Sequence, residues 1–122
     1  MARIMIVEDY PNQRRLYEEE LRRDGHETAT AEDGREALSL LDQVRPDLVV
    51  LDVAMPGLDG IETMIRMLAK DRRLPVVLNT AYGCYRENMR TWAADACVVK
   101  SSDTTELKTT IQKVLASRAA GS

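Results

Sequence analysis

The stretch Leu48-Val49-Val50-Leu51-Asp52-Val53-Ala54-Met55-Pro56-Gly57-Leu58-Asp59-Gly60 decides how the chain folds. Its first four residues are continuously apolar, as in a strand buried on both faces; a strand with one wet face would alternate. The run stops at a carboxylate, Asp52, and Met55-Pro56-Gly57 reads as a turn whose backbone shape matters. Asp59 then stands three residues before Glu62, a variant of the capping box that opens a helix. The apolar stripe Ile61, Met64, Ile65 and Leu68 continues that helix at the expected spacing. A buried strand, an acidic end, a turn and an amphipathic helix make one β–α unit of a parallel sheet.

The same unit recurs on both sides. Ile4-Met5-Ile6-Val7, Val76-Val77-Leu78 after Pro75, and Cys97-Val98-Val99 read as further buried strands, and Glu27-Thr28-Ala29-Thr30 as a weaker edge strand. Helical stripes lie between and after them. Leu16 and Leu21 come after Pro11, which suits a first helical turn. Ala37, Leu38, Leu41 and Val44 form the second stripe; Met89, Trp92 and Ala93 the fourth; Leu107, Ile111, Val114 and Leu115 the fifth. The pairs Asp33/Glu36 and Asp103/Glu106 repeat the capping signature, and Pro46 and Pro75 stop the second and third helices. Five such units predict a doubly wound α/β domain with right-handed crossovers over residues 1–118, and then a short tail at 119–122. The expected sheet is flavodoxin-like: five parallel strands in the order 2-1-3-4-5 with five helices, and function gathered at the carboxyl ends of the strands.

Composition narrows the functions open to such a domain. A chain of 122 residues can bury a core without disulfides or metal. Its net charge of −3 lacks the clustered basic surface that direct nucleic-acid binding requires. No apolar run approaches the ~20 residues of a membrane span, and the opening Met-Ala-Arg-Ile lacks a signal-peptide layout. Cys84 and Cys97 lack C-x-x-C spacing, and His26 is the single histidine, so a zinc site is not expected. The expectation is a one-domain protein of a reducing, cytoplasmic compartment, with no membrane insertion and Cys97 a small buried apolar residue.

The residues at the strand ends supply the chemistry. Glu8 and Asp9 come just after the first strand, Asp52 ends the third, Thr80 the fourth, and Lys100 comes just after the fifth. Parallel neighbours lie about 4.8 Å apart, so with the first strand beside the third, Glu8, Asp9 and Asp52 converge on one patch. Three carboxylates there repel one another unless a cation intervenes. Oxygen ligands in an open site favour Mg2+, which commonly bridges carboxylates to phosphate. Lys100 and the Thr80 hydroxyl could hold the other oxygens of a phosphoryl group, and an aspartate can accept phosphate as an acyl phosphate. The residues read as a metal-assisted phosphoryl-acceptor site with Asp52 as nucleophile.

These pieces resemble the receiver domain of two-component response regulators, of the single-domain chemotaxis type. The likeness rests on Val7-Glu8-Asp9, the stretch from Leu51 to Gly60, Thr80-Ala81 and Val98-Val99-Lys100, and it covers roughly residues 2–118. The resemblance implies that Asp52 takes phosphate from a histidine kinase or phosphotransfer protein. It implies that Asp9 and Asp52 hold Mg2+, with Glu8 acting mostly through water and the backbone carbonyl of Ala54 as a further ligand. Thr80 and Lys100 would engage the phosphoryl oxygens. The new charge would shift a two-state surface that a downstream protein target or output domain reads. Catalysis would extend only to the domain's own phosphorylation and dephosphorylation.

Two positions depart from the family pattern. Cys97 stands where an aromatic ring is usual, and Ser101 comes after Lys100 where proline is usual. A cis bond before serine would cost about 2.5–4 kcal/mol, so a trans peptide is expected. Tyr82 is expected to cap the site partly. Asp59 and Asp103 are read as caps, His26 as a surface residue, and Arg14, Arg15, Glu18, Glu19 and Glu20 as a solvated face. Three other functions stay open at this point. An aspartate-based phosphohydrolase would want an acid two residues after Asp52, where Ala54 stands. A nucleotide- or flavin-binding domain would want a glycine-rich first turn, where Glu8-Asp9-Tyr10-Pro11 stands. A receiver-like scaffold could act without phosphorylation.

Overall fold

The structure is a computed structural model that describes residues 2–55, 57–81 and 94–121. Five strands, β1 (Arg3–Val7), β2 (Glu27–Ala31), β3 (Leu48–Asp52), β4 (Val76–Thr80) and β5 (Ala96–Val99), form one parallel sheet in the order β2-β1-β3-β4-β5. Among the described residues four helices surround it: α1 (Pro11–Arg23), α2 (Gly34–Val44), α3 (Gly60–Lys70) and α4 (Thr105–Gly121). The expected helix of Met89, Trp92 and Ala93 lies outside the described residues, as do Tyr82 and Cys84. Helix α4 runs on to Gly121, through positions that read as a tail in the sequence.

Strand alternation sorts the core into two layers. Met5, Val7, Val49, Leu51, Val76 and Leu78 point to one face, where they pack with Ala37, Leu41, Ile61, Met64 and Met67 of α2 and α3. Ile4, Ile6, Leu48, Val50, Val77 and Val98 point to the other, against Tyr17 and Leu21 of α1 and Leu107, Ile111 and Val114 of α4. A fully buried Val, Leu or Ile contributes about 1.5–3 kcal/mol, whereas a helix cap contributes ~1 kcal/mol. The layers therefore hold the helices on the sheet, and the caps set where the helices begin.

Those caps match the sequence signals at two of three places. Asp33 accepts from the Glu36 N–H at 2.8 Å, and Asp59 from the Glu62 N–H at 2.8 Å. Asp103 instead accepts from the Thr105 N–H at 2.9 Å, two residues on, so its expected pairing with position 106 is corrected. Hydrogen bonding from the Thr105 hydroxyl, and then from its N–H, holds the Asp103 carboxyl below its ordinary pKa. Pro11 occupies the first turn of α1.

Gly60 shows why this turn tolerates no side chain. A Cβ there would come within 2.0 Å of the Asp52 carbonyl oxygen. The helix thus starts directly against the end of β3, and the Gly60 N–H donates to the Val53 carbonyl at 2.9 Å. Gly57, with φ of 76°, supplies the left-handed residue of the same loop.

Candidate functional site

The strand register aligns the chemistry at one edge. Val7 pairs with Leu51, Asp52 with Asn79, and Thr80 with Val99. Alternation then assigns a face to each group. Glu8, Asp52, Asn79 and Lys100 continue the phase of Ile6, Val50, Val77 and Val98, so they gather on the α1/α4 side of the sheet. Thr80 continues the opposite phase.

The distances bear this out. The Lys100 Nζ lies 2.7 Å from Glu8 Oε1 and 3.1 Å from Asp52 Oδ2. Carboxylate oxygens of Glu8, Asp9 and Asp52 all lie within 4.8 Å of one another. Asp52 is 3% exposed and Glu8 2%, so both carboxyls are removed from bulk water. The Ala54 N–H donates to Asp52 Oδ1 at 3.2 Å. The turn after β1 is pinned from two directions: Arg14 Nη1 donates to the Glu8 carbonyl at 2.8 Å, and the Glu8 N–H donates to the Ala31 carbonyl at 3.1 Å. Thr80 is buried at the end of β4, and its carbonyl accepts from the Lys100 N–H at 2.6 Å. The Lys100–Ser101 peptide is trans, as expected.

One ammonium faces three carboxylates here, and the electrostatics register the imbalance. Burial, then the hydrogen bond with Asp52, pushes the Glu8 pKa up from 4.5 to about 8, with Lys100 pulling it down less strongly. Burial opposes the charge on Lys100, but its hydrogen bonds to Glu8 and Asp52, with their charges, outweigh burial and raise its pKa. Glu8 Oε2 and Asp9 Oδ1 are buried without a hydrogen-bond partner among the described residues. An unpaired buried acceptor costs about 1–3 kcal/mol, more when charged. Two orphaned oxygens among hard carboxylate donors fit a small divalent cation, and the set fits Mg2+.

Glu8, Asp9, Asp52 and Lys100 of the expected site are therefore brought together, with Ala54 touching Asp52 through its N–H. Asp59 stands apart as a helix cap. Several of the simpler expectations need correction. Arg14 and Glu20 are half-buried and bonded, Glu20 to Thr104 and Lys108, because α1 lies against the sheet rim and α4. His26 is half-buried, and its Nδ1 accepts from the Ala2 N–H at 3.1 Å. Cys97 packs against the α2/α3 layer but is disulfide-bonded, not a free thiol.

Three site residues are not singled out by the sequence motifs. Gln13 accepts from Lys100, and Tyr17 is hydrogen-bonded to the buried Asn79. Burial raises the Tyr17 pKa, and the bond to Asn79 works the other way. Asn79 is an amide that directly continues the apolar run Val76–Leu78 inside β4, and that is the signal by which the sequence marks it.

Comparison with known proteins accords with this geometry. The family described as the response regulator receiver domain matches residues 4–112. Regulatory protein AtoC of Escherichia coli is 39% identical over 116 residues; these cover 93% of this chain and 25% of AtoC, so the chain spans a quarter of that relative's length. The crystal structure of response regulator protein TrrA from Thermotoga maritima in complex with Mg2+-BeF is 44% identical, with a TM-score of 0.88 over 93% of this chain and 99% of that one. TrrA in complex with the histidine kinase ThkA gives 45% identity and a TM-score of 0.87, over 94% and 99%. The sheet order, the acidic rim and these likenesses converge: the chain belongs to the response regulator receiver domain family, whose members are phosphoacceptors of two-component signalling.

Proposed function

We propose that Asp52 is the phosphoacceptor of this receiver domain. The observation that carries the reading is the buried bridge from Asp52 to Lys100, beside two carboxylate oxygens that lack hydrogen-bond partners among the described residues. Glu8, Asp9, Asp52 and the Ala54 carbonyl are the groups that would hold Mg2+. When bound, the ion neutralises the carboxylates and the charge of an incoming phosphoryl group.

The chain's own residues do the rest. Asp52 is the nucleophile: a carboxylate oxygen forms a bond to phosphorus as the P–N bond of a phosphohistidine breaks, and the electron pair leaves on the imidazole nitrogen. The Ala54 N–H and Lys100 orient the carboxylate before reaction, so little reorganisation remains at the barrier. Once Asp52 becomes an acyl phosphate, Lys100 pairs with a phosphoryl oxygen, and the Thr80 hydroxyl, which strand phase turns away from Asp52, would have to rotate around the end of β4 to donate to another. Because Thr80 ends β4, that contact transmits the new charge to the next segment.

A histidine kinase or phosphotransfer protein is the proposed donor, in keeping with the ThkA–TrrA complex. A downstream protein or output domain is the proposed reader, since AtoC is a longer regulatory protein. Residues 1–118 serve as the receiver unit, and no enzymatic turnover beyond its own phosphorylation cycle is assigned. A cytoplasmic setting is part of the same proposal and rests on the family; the disulfide at Cys97 departs from the reducing compartment expected from the sequence.

The test is incubation with a small acyl phosphate, with and without Mg2+, and then intact mass. One phosphoryl group should add in Mg2+ and disappear in Asp52→Asn or after chelation. Uptake that survives either change contradicts the assignment.

A further inference from the structure

The ammonium of Lys100 has three N–H bonds to place, and the structure sets three oxygens around it. It donates to Glu8 Oε1 at 2.7 Å and to the amide oxygen of Gln13 at 3.1 Å, and it stands 3.1 Å from Asp52 Oδ2 as an ion pair. Gln13 lies in the first turn of α1, and its acceptor is neutral. It therefore fixes the direction of the ammonium without competing for its charge.

We propose that Gln13 is a positioning residue of the site, its amide oxygen completing a tripod of acceptors that keeps Lys100 facing Asp52. Lysine carries a flexible four-carbon stem, and its donors are held only by what accepts them. A groove of about 380 Å³ opens between α1 and the segment after β5, lined in part by Gln13, Tyr17, Lys100 and Ser101. Without the amide oxygen, the third N–H must turn to water in that groove. The stem would then regain rotamers that draw Nζ away from the acceptor carboxylate. With it, the ammonium stays where a phosphoryl oxygen arrives.

The tripod's role rests on Asp52 being the phosphoacceptor, but the contact can be tested without phosphate or metal. Lysine 15N labelling of the metal-free protein measures the exchange of the Lys100 ammonium protons with water, with Lys100→Arg identifying the signal. Gln13→Met keeps the side-chain length and removes the strong acceptor, and Gln13→Glu keeps an oxygen. Gln13 is only half-buried, so both should fold, which the amide spectrum checks. Exchange should accelerate about tenfold in Gln13→Met, as expected for one lost charge-assisted bond, and stay near wild type in Gln13→Glu. Phosphoryl uptake at saturating Mg2+ and acyl phosphate should slow about three- to tenfold in Gln13→Met, with the half-maximal Mg2+ concentration unchanged. Equal exchange in wild type and Gln13→Met, or equal acceleration in both variants, overturns the tripod. So does a wild-type signal already exchanging at the rate of an exposed lysine. Phosphoryl uptake that persists in Asp52→Asn would sink the phosphoacceptor assignment instead, leaving the ammonium result to stand by itself.

Discussion

The two faces of this sheet are built from the same strands and finish differently. On the α2/α3 side the alternation ends in Val7, Leu51 and Leu78, sealed by Met55 and Ile61. On the α1/α4 side the next residues in phase are Glu8, Asp52, Asn79 and Lys100, buried or nearly so. One face closes as a dry layer, while the other opens at its rim into a charged pocket. A period of two, running past the last strand residue, is enough to separate stability from chemistry on a single sheet.

If that division holds, damage to the dry face should cost stability and spare the chemistry. Leu51→Ala removes a side chain with no exposure and should lower the unfolding free energy by about 3 kcal/mol. Urea denaturation measures that loss. Phosphoryl uptake per folded molecule should change little.

The charged face should behave in the opposite sense. Glu8 has a folded-state pKa near 8 against an ordinary 4.5, because its charged form is buried. The metal-free folded state therefore keeps a proton that the unfolded chain has released. Its stabilising effect is complete below about pH 4.5 and fades as pH climbs toward 8, with a slope of at most ~1.4 kcal/mol per pH unit. Thermal melting in chelator should show this decline, and Glu8→Gln should flatten it, matching wild type near pH 5 and exceeding it above about pH 8. Mg2+ should reverse the trend, since binding releases the proton. The smallest effect belongs to the tie between α1 and α4. Glu20→Ala breaks contacts to Lys108 and Arg23 that are partly open to solvent, and melting should reveal a loss of only ~0.5 kcal/mol.

Much of this is legible in single segments. The run Leu48–Leu51 announces a buried parallel strand, and Asp33 and Asp59 announce helix starts, because those signals are local. The carboxylates and Lys100 are legible because each stands at the end of an apolar run, and topology carries all such ends to one edge. The remainder depends on phase between distant segments. That Asn79 rather than Thr80 shares a face with Asp52 is a matter of strand phase; that Gln13 and Tyr17 of α1 reach the same pocket is a matter of how the helix rolls onto the sheet. Neither is written in any one stretch. Asp103 shows a smaller failure of the same kind, its carboxylate closing a turn two residues ahead where the local pattern names the third.

The central claim is that Glu8, Asp9 and Asp52 form one cation site around a carboxylate prepared for phosphoryl transfer. An Mg2+ titration of wild type and Asp9→Asn, monitored by amide chemical shifts, tests it most directly. Wild type should saturate as a single site, with the largest shifts at Glu8, Asp9, Asp52 and Val53, and Asp9→Asn should bind at least about tenfold more weakly. Unchanged affinity in Asp9→Asn, or shifts centred away from the ends of β1 and β3, would contradict that claim.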